Sequence, residues 1–315
     1  MKKALIVGIN DYPSSPLSGC VNDANALGAI LESNGDGSPN FGVRKITCPH
    51  TDITRPILRE AIEQLFAGDS NMALLYFSGH GYIKSTGGYL VTTDAKKYDE
   101  GVSMDDVLSL ANQSKAKNKV IILDCCHSGA MGTPSLSGNS TAQLSEGMSV
   151  LTASRNSEVA FEVNGTGVFT SLLIDALNGG AADIRGNITP SSVYAYVDEA
   201  LGAWDQRPIF KTNVTSFSPL RIIQPKVSFD TLRKITQYFP TPDAEHPLNP
   251  TYEDTEPKAD PENVKIFKDL QKFQSVGLVV PVNAEFMYFA AINSTSCRLT
   301  ALGYQYWRLV NEKKL

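Results

Sequence analysis

The chain has 315 residues, is 42% hydrophobic and carries a formal net charge of -5, which is enough apolar material for one sizeable core and a smaller module. Lysine and arginine are scattered, with no basic block or Arg-rich stripe, so a nucleic-acid surface is not expected. No apolar run approaches the roughly 18 residues of a membrane span. The five cysteines (Cys20, Cys48, Cys125, Cys126 and Cys297) are too unevenly placed for a disulfide framework. A reducing, cytoplasmic setting follows as an expectation.

In chain order, ALIVGI (4–9) is a continuous apolar run, as for a strand buried on both faces, and reads as that rather than as the start of a signal peptide. The polar loop NDYPSSPLSG leads to a helix expected at about 22–33, and Val43 to Thr47 suits a second strand. Pro56 in a first turn, followed by Ile57, Leu58, Ala61, Ile62, Leu65 and Phe66, predicts a helix over 55–67. MALLYFSG (72–79) is the next buried strand and ends at His80-Gly81. A short strand at 88–92 and a helix at 104–112, opened by a capping signal at Ser103, come next.

KVIILDCCHSG (119–129) repeats the design of an apolar strand with polar residues at its end. MSVLTAS (148–154) predicts a further strand and FTSLLIDAL (169–177) a helix; the Gly/Ser/Thr-rich stretch 130–147 between them reads as a loop. Strands alternating with helices imply a mostly parallel sheet covered on both faces, whose chemistry gathers at the carboxyl ends of its strands. His80 and the Cys125-Cys126 pair both fall at such ends.

A thiol becomes a strong nucleophile when an imidazole takes its proton. Gly81 allows close backbone approach and an N–H for an oxyanion. Taken singly, a cysteine in an apolar strand is usually a small buried hydrophobe, and a histidine before glycine is often a turn residue. Together at two strand exits they make a nucleophilic pair an even choice. Strand alternation points the two adjacent thiols in opposite directions without saying which meets substrate.

The pieces LSGCVNDANAL (17–27), YFSGHG (76–81), VIILDCCHSG (120–129), VLTAS (150–154) and GVFTSLLIDAL (167–177), in this order, resemble the caspase superfamily, and within it the metacaspase-like branch. The resemblance implies an α/β/α sandwich with a mostly parallel central sheet. It implies a cysteine endopeptidase in which His80 is the base and Cys126 the nucleophile, with Gly81 and Cys126 supplying the oxyanion hole. It places Asp23 and Asp124 in the pocket for the residue before the cut. Two carboxylates there favour arginine or lysine and repel aspartate. Cys20 and Ser78 fall at family positions that shape this pocket or hold His80.

No cofactor is required on this reading. Related enzymes often need calcium, for which Asp94, Asp99, Asp105 and Asp106 offer oxygens, although they form no EF-hand pattern. The loop 130–147 holds no lysine or arginine, so a basic-specific enzyme could not cut itself there. Control by a partner, a ligand or loop ordering is therefore expected rather than obligatory self-cleavage.

Three segments are expected: a protease domain over 1–225, a helical, proline-rich and acidic linker over 226–261, and a small α+β domain over 262–315. The last resembles a winged helix, built from a capped helix, the strand-like runs GLVVPV and EFMYFAAI, and a closing helix over 299–310. A regulatory protein docked through it is the expected partner, with Tyr304, Tyr306 and Trp307 divided between core and docking face. The fusion suggests a bacterial stress or defence system. The alternative in a different class is a catalytically silent caspase-like scaffold.

Overall fold

The computed structural model describes residues 1–49, 51–84, 87–125, 143–153, 162–163, 166–201 and 207–315. Cys126, His127 and the loop expected over 130–147, up to residue 142, lie outside the described residues. The chain divides into one unit of residues 1–183 and 187–223 and a second of 184–186 and 224–315.

The first unit opens with β1 (Lys2–Ile9), α1 (Cys20–Glu32), β2 (Phe41–Cys48), α2 (Arg55–Phe66) and β3 (Met72–Ser78). There follow β4 (Gly81–Lys84), β5 (Gly87–Lys96), β6 (Asp99–Ser103), α3 (Met104–Gln113), β7 (Asn118–Asp124) and β8 (Met148–Thr152). The hairpin pair β9 (Glu162–Val163) and β10 (Thr166–Gly167) leads into α4 (Val168–Asp175), which runs on into a π-helical turn. β11 (Asn187–Ile188), α5 (Pro190–Leu201), β12 (Ile209–Asn213) and β13 (Arg221–Ile222) complete it.

Six strands form the central sheet in the order β12-β8-β7-β3-β1-β2. All its pairings are parallel except that of β12 with β8. The two-residue period of a strand sorts its apolar side chains between two layers. Leu5, Val7 and Ile9 of β1, Leu75 and Phe77 of β3, and Ile121 and Leu123 of β7 face α2 and α3. Ala4, Ile6, Leu74, Tyr76, Val120 and Ile122 face α1, α4 and α5. The result is the expected three-layer α/β sandwich.

Helix starts follow local chemistry. Pro56 occupies the first turn of α2, and the Ser103 hydroxyl accepts a hydrogen bond from the Asp105 N–H at the start of α3. A three-stranded antiparallel sheet, β4-β5-β6, stands apart from the main one. It extends well beyond the single short strand expected at 88–92.

The second unit contains α6 (Phe229–Arg233), α7 (Ile235–Tyr238), β14 (Glu245–Pro247), α8 (Pro261–Ser275), β15 (Val279–Val282), α9 (Met287–Ile292), β16 (Ser296–Leu299) and α10 (Ala301–Asn311). Its antiparallel sheet has the order β14-β16-β15. Asp260 caps α8 by accepting from the Glu262 and Asn263 N–H groups at 2.9 and 3.1 Å. Residues read as linker supply Val227, Leu232, Ile235, Phe239, Leu248 and Tyr252 to this unit's core. EFMYFAAI is a correction to the strand-like reading. It folds as α9 because Met287, Ala290 and Ala291 recur at helical spacing and are buried together. Tyr306 is buried, Trp307 is half-buried and donates to the Phe239 carbonyl at 2.7 Å, and Tyr304 is exposed. Among the described residues no helix is long and apolar enough to cross a membrane.

Gly8 lets α1 lie close on the sheet. A β-carbon there would collide with the Cys20 carbonyl and come within 2.8 Å of the Ala24 β-carbon. Gly8→Ala is therefore expected to lower stability by about 1–3 kcal/mol, read as a lower urea midpoint with an unchanged slope.

Candidate active site

β3 and β7 run side by side in register, and Ser78, the last residue of β3, pairs with Asp124, the last residue of β7. Alternation carries Asp124 to the face of Val120 and Ile122, towards α1 and α4. Asp23, in the first turn of α1, approaches the same point. Both aspartates are buried, at 2% and 6% exposure. The Gly167 N–H donates to the two Asp23 carboxylate oxygens at 3.2 and 3.1 Å, and Thr170 Oγ1 donates to Asp124 Oδ2 at 2.6 Å. These donors sit at the start of α4, where helix N–H groups and the macrodipole favour negative charge.

Gly167 brings the two acids together. A β-carbon on it would lie 2.6 Å from Asp124 Oδ2 and 3.1 Å from Asp23 Oδ2. The Tyr76 hydroxyl lies 2.6 Å from Thr170 Oγ1. Because the threonine proton goes to the carboxylate, Tyr76 is the donor in that pair. Burial, and then the charges of Asp124 and Asp23, push the Tyr76 phenol well above its ordinary pKa, so it stays protonated and able to donate. The buried Ser78 hydroxyl is hydrogen-bonded to Tyr76, which places Ser78 with the acidic pair.

His80 follows the end of β3. Its Nε2 lies 2.7 Å from the Ser15 carbonyl oxygen. A carbonyl only accepts, so Nε2 carries the proton, and in the neutral ring Nδ1 holds the lone pair. The His80 backbone N–H donates to the Tyr12 hydroxyl at 3.0 Å, and that hydroxyl donates to the Val91 carbonyl at 3.3 Å. The Tyr12 and His80 rings lie 4.6 Å apart. Burial holds the Tyr12 phenol well above its usual range, so it keeps the proton this bridge needs. Gly79 is required beneath it, since any β-carbon there would collide with the Tyr12 hydroxyl. Gly81 opens β4 opposite Leu90.

Cys125 is 1% exposed and packs with Ile121 and Leu123 in the layer under α2 and α3. Cys20, at the start of α1, is buried, and the Tyr12 hydroxyl lies within electrostatic reach of the thiols of Cys20, Cys125 and Cys48. Tyr12 and the Ser15 carbonyl were not foreseen from the sequence. The loop YPSSP held the only signal, two prolines that stiffen it.

The family model of the caspase domain, peptidase C14, matches residues 1–216. The chain belongs to the caspase-domain family. Among solved structures, this caspase-family chain resembles protein GSU0716 from Geobacter sulfurreducens, at 17% identity and a TM-score of 0.53, over 71% of this chain and 100% of that one. Caspase-1 from Spodoptera frugiperda aligns at 14% identity and a TM-score of 0.51, over 71% of this chain and 90% of that one. At such identities the likeness is one of fold. No curated protein sequence matches the chain.

The four aspartates considered for calcium do not converge. Asp99 pairs with the Arg55 guanidinium at 2.6 Å, Asp94 accepts from the Arg55 N–H at 3.0 Å, and Asp106 pairs with Arg59 at 3.1 Å. The Asp105 N–H serves the cap of α3. Among the described residues no three His, Cys, Asp or Glu side chains are grouped as a metal site requires.

Removing the Thr170 hydroxyl should leave a buried carboxylate one donor short. Thr170→Val is expected to cost about 1.5–3 kcal/mol in chemical denaturation, and Thr170→Ser to recover most of it.

Proposed function

We propose that this caspase-family protein is a cysteine endopeptidase that cuts after arginine or lysine, with Cys126 as nucleophile and His80 as base. The observation that carries the reading is the convergence of Asp23 and Asp124 beside the strand end that bears His80. Cys125 is committed to the core, so the attacking thiol is assigned to Cys126.

His80 Nδ1 takes the thiol proton while Nε2–H remains on the Ser15 carbonyl, which steadies the imidazolium. The thiolate adds to the carbonyl carbon, and its oxyanion is received by backbone N–H groups, assigned to Gly81 and Cys126. As the tetrahedral adduct collapses, Nδ1–H protonates the leaving amine and the C–N bond breaks. Water, losing its proton to Nδ1, then hydrolyses the thioester and restores the thiol.

The substrate cation would pair with Asp23 and Asp124, two carboxylates that a guanidinium can bridge and an aspartate cannot approach. Both acids are buried, with Gly167 close against them, so a cation reaches them only through a local opening. That requirement suits control by a partner.

The second unit is read as a winged-helix-like docking module, supported by the strand order β14-β16-β15 with α8 preceding β15. Lys265, Lys268 and Lys272 of α8 pair with Glu262, Asp254 and Asp269, which supports a protein partner over nucleic acid. A bacterial stress or defence setting is part of the same proposal.

The test is hydrolysis of matched fluorogenic peptides ending in Arg, Lys or Asp, with and without calcium, by the wild type and by Cys126→Ala. Cleavage after Arg and Lys that vanishes in Cys126→Ala is expected. Cleavage after Asp overturns the pocket, and no cleavage under any condition favours the silent scaffold. Asp23→Asn and Asp124→Asn should each lower kcat/KM for the arginine peptide about 10–100-fold, since each removes one charge-assisted contact. His80→Ala should lower kcat by about 100–10,000-fold.

A further inference from the structure

A cleft of about 670 Å³ opens beside His80 on the side of β4, β5 and β6, and the steps above use only its edge at His80, Gly81 and Ser15. Tyr82, Lys84, Lys96, Lys97 and Tyr98 line it together with His80. Its only lining carboxylate among the described residues, Glu100, is ion-paired with Lys84. The nearby acids are also engaged, Asp99 by the Arg55 guanidinium and Asp94 by the Arg55 N–H. Lys96 and Lys97 are exposed and make no ion pair among the described residues. A protein of net charge -5 thus carries a locally cationic cleft next to its base.

Tyr98 is the second unusual feature. It holds a left-handed backbone, φ 74°, which bulky side chains disfavour, and the residue is 80% exposed. The Lys84 and Lys97 ammonium groups lie 5.2 and 5.1 Å from the ring centroid. The ring holds the two cations at the cleft edge, although glycine would suit that turn better.

We infer that this cleft receives the substrate residues that follow the scissile bond, and that it selects an acidic residue, Asp or Glu, among the first three of them. The inference rests on the protease reading. Asp23 and Asp124 lie on the α1 and α4 face, whereas the His80 ring packs on Tyr12, which belongs to the α2 and α3 face. A peptide whose basic residue enters the acidic pair crosses the strand ends towards His80. The base that protonates the leaving amine must stand on the leaving side, so the departing segment runs on into the cleft. A carboxylate there meets Lys96 and Lys97, and its methylene stem lies along Tyr98.

Internally quenched peptides with one arginine, followed by Glu, Ala or Lys at each of the next three positions, test this. Each ratio of kcat/KM is taken on a single enzyme preparation, which cancels any general loss. The wild type should favour Glu over Ala by about fivefold at one position, disfavour Lys there, and lose the preference in high salt. Lys96→Glu combined with Lys97→Glu should invert the order to favour Lys. Tyr98→Gly, compatible with the turn's backbone, should flatten it.

Ratios near one in the wild type, or an order unchanged by the charge reversal, would overturn the inference. A short arginyl amide dye, with no residues after the bond, separates the two levels. Cleavage of the dye with flat peptide ratios removes the subsite alone. Failure on the dye and on every peptide removes the protease reading, and the subsite with it.

Discussion

Parallel pairing of β3 with β7 places Ser78 opposite Asp124, and the rest of the site depends on that register. In a strand the side-chain period is two, so a slip of one residue would exchange faces. Asp124 would then turn into the apolar layer under α2 and α3, and Cys125 would turn out of it. The apolar positions of β1, β3 and β7, divided cleanly between the two layers, make such a slip costly. Register is thus enforced by the core while its consequences are felt at the strand ends.

Helix placement completes what register begins. Close approach of α1 at Gly8 delivers Asp23, and α4 presents the Gly167 N–H and the Thr170 hydroxyl to the two carboxylates. Two buried acids at short range repel one another, and donors from a helix start offset part of that cost. The protonated Tyr76 extends the chain of donors from the sheet side. His80 belongs to a different layer of interactions, the Tyr12 ring and the Ser15 carbonyl. The acidic pair and the imidazole therefore approach the same strand ends from opposite faces.

Most of the central sheet could be read directly. Runs such as ALIVGI and MALLYFSG have no polar face, and only a strand covered on both sides uses them. α2, α3 and α8 carried legible starts in Pro56, Ser103 and Asp260. The antiparallel sheet β4-β5-β6 was less legible because most of its residues are only half-buried or exposed, so hydrophobic period says little about them. EFMYFAAI misled for a related reason. Its aromatic and β-branched content suits a strand, while burial of Met287, Ala290 and Ala291 against the second unit's core makes it a helix.

Residue types and their order were enough to suggest a chemistry: a histidine and two adjacent cysteines after apolar runs, an aspartate before the cysteines and another at a helix start. Local sequence could not say which of these groups meet, because the contacts that join them are long-range. Gly167 binds a carboxylate 144 positions away, and the group that orients His80 is a backbone carbonyl, which every residue possesses. Neither leaves a mark in composition or spacing. Packing of α1 and α4 on one face of the sheet, and of the Tyr12 loop on the other, settles both, since only close packing brings a particular N–H or C=O within hydrogen-bond distance of a particular side chain.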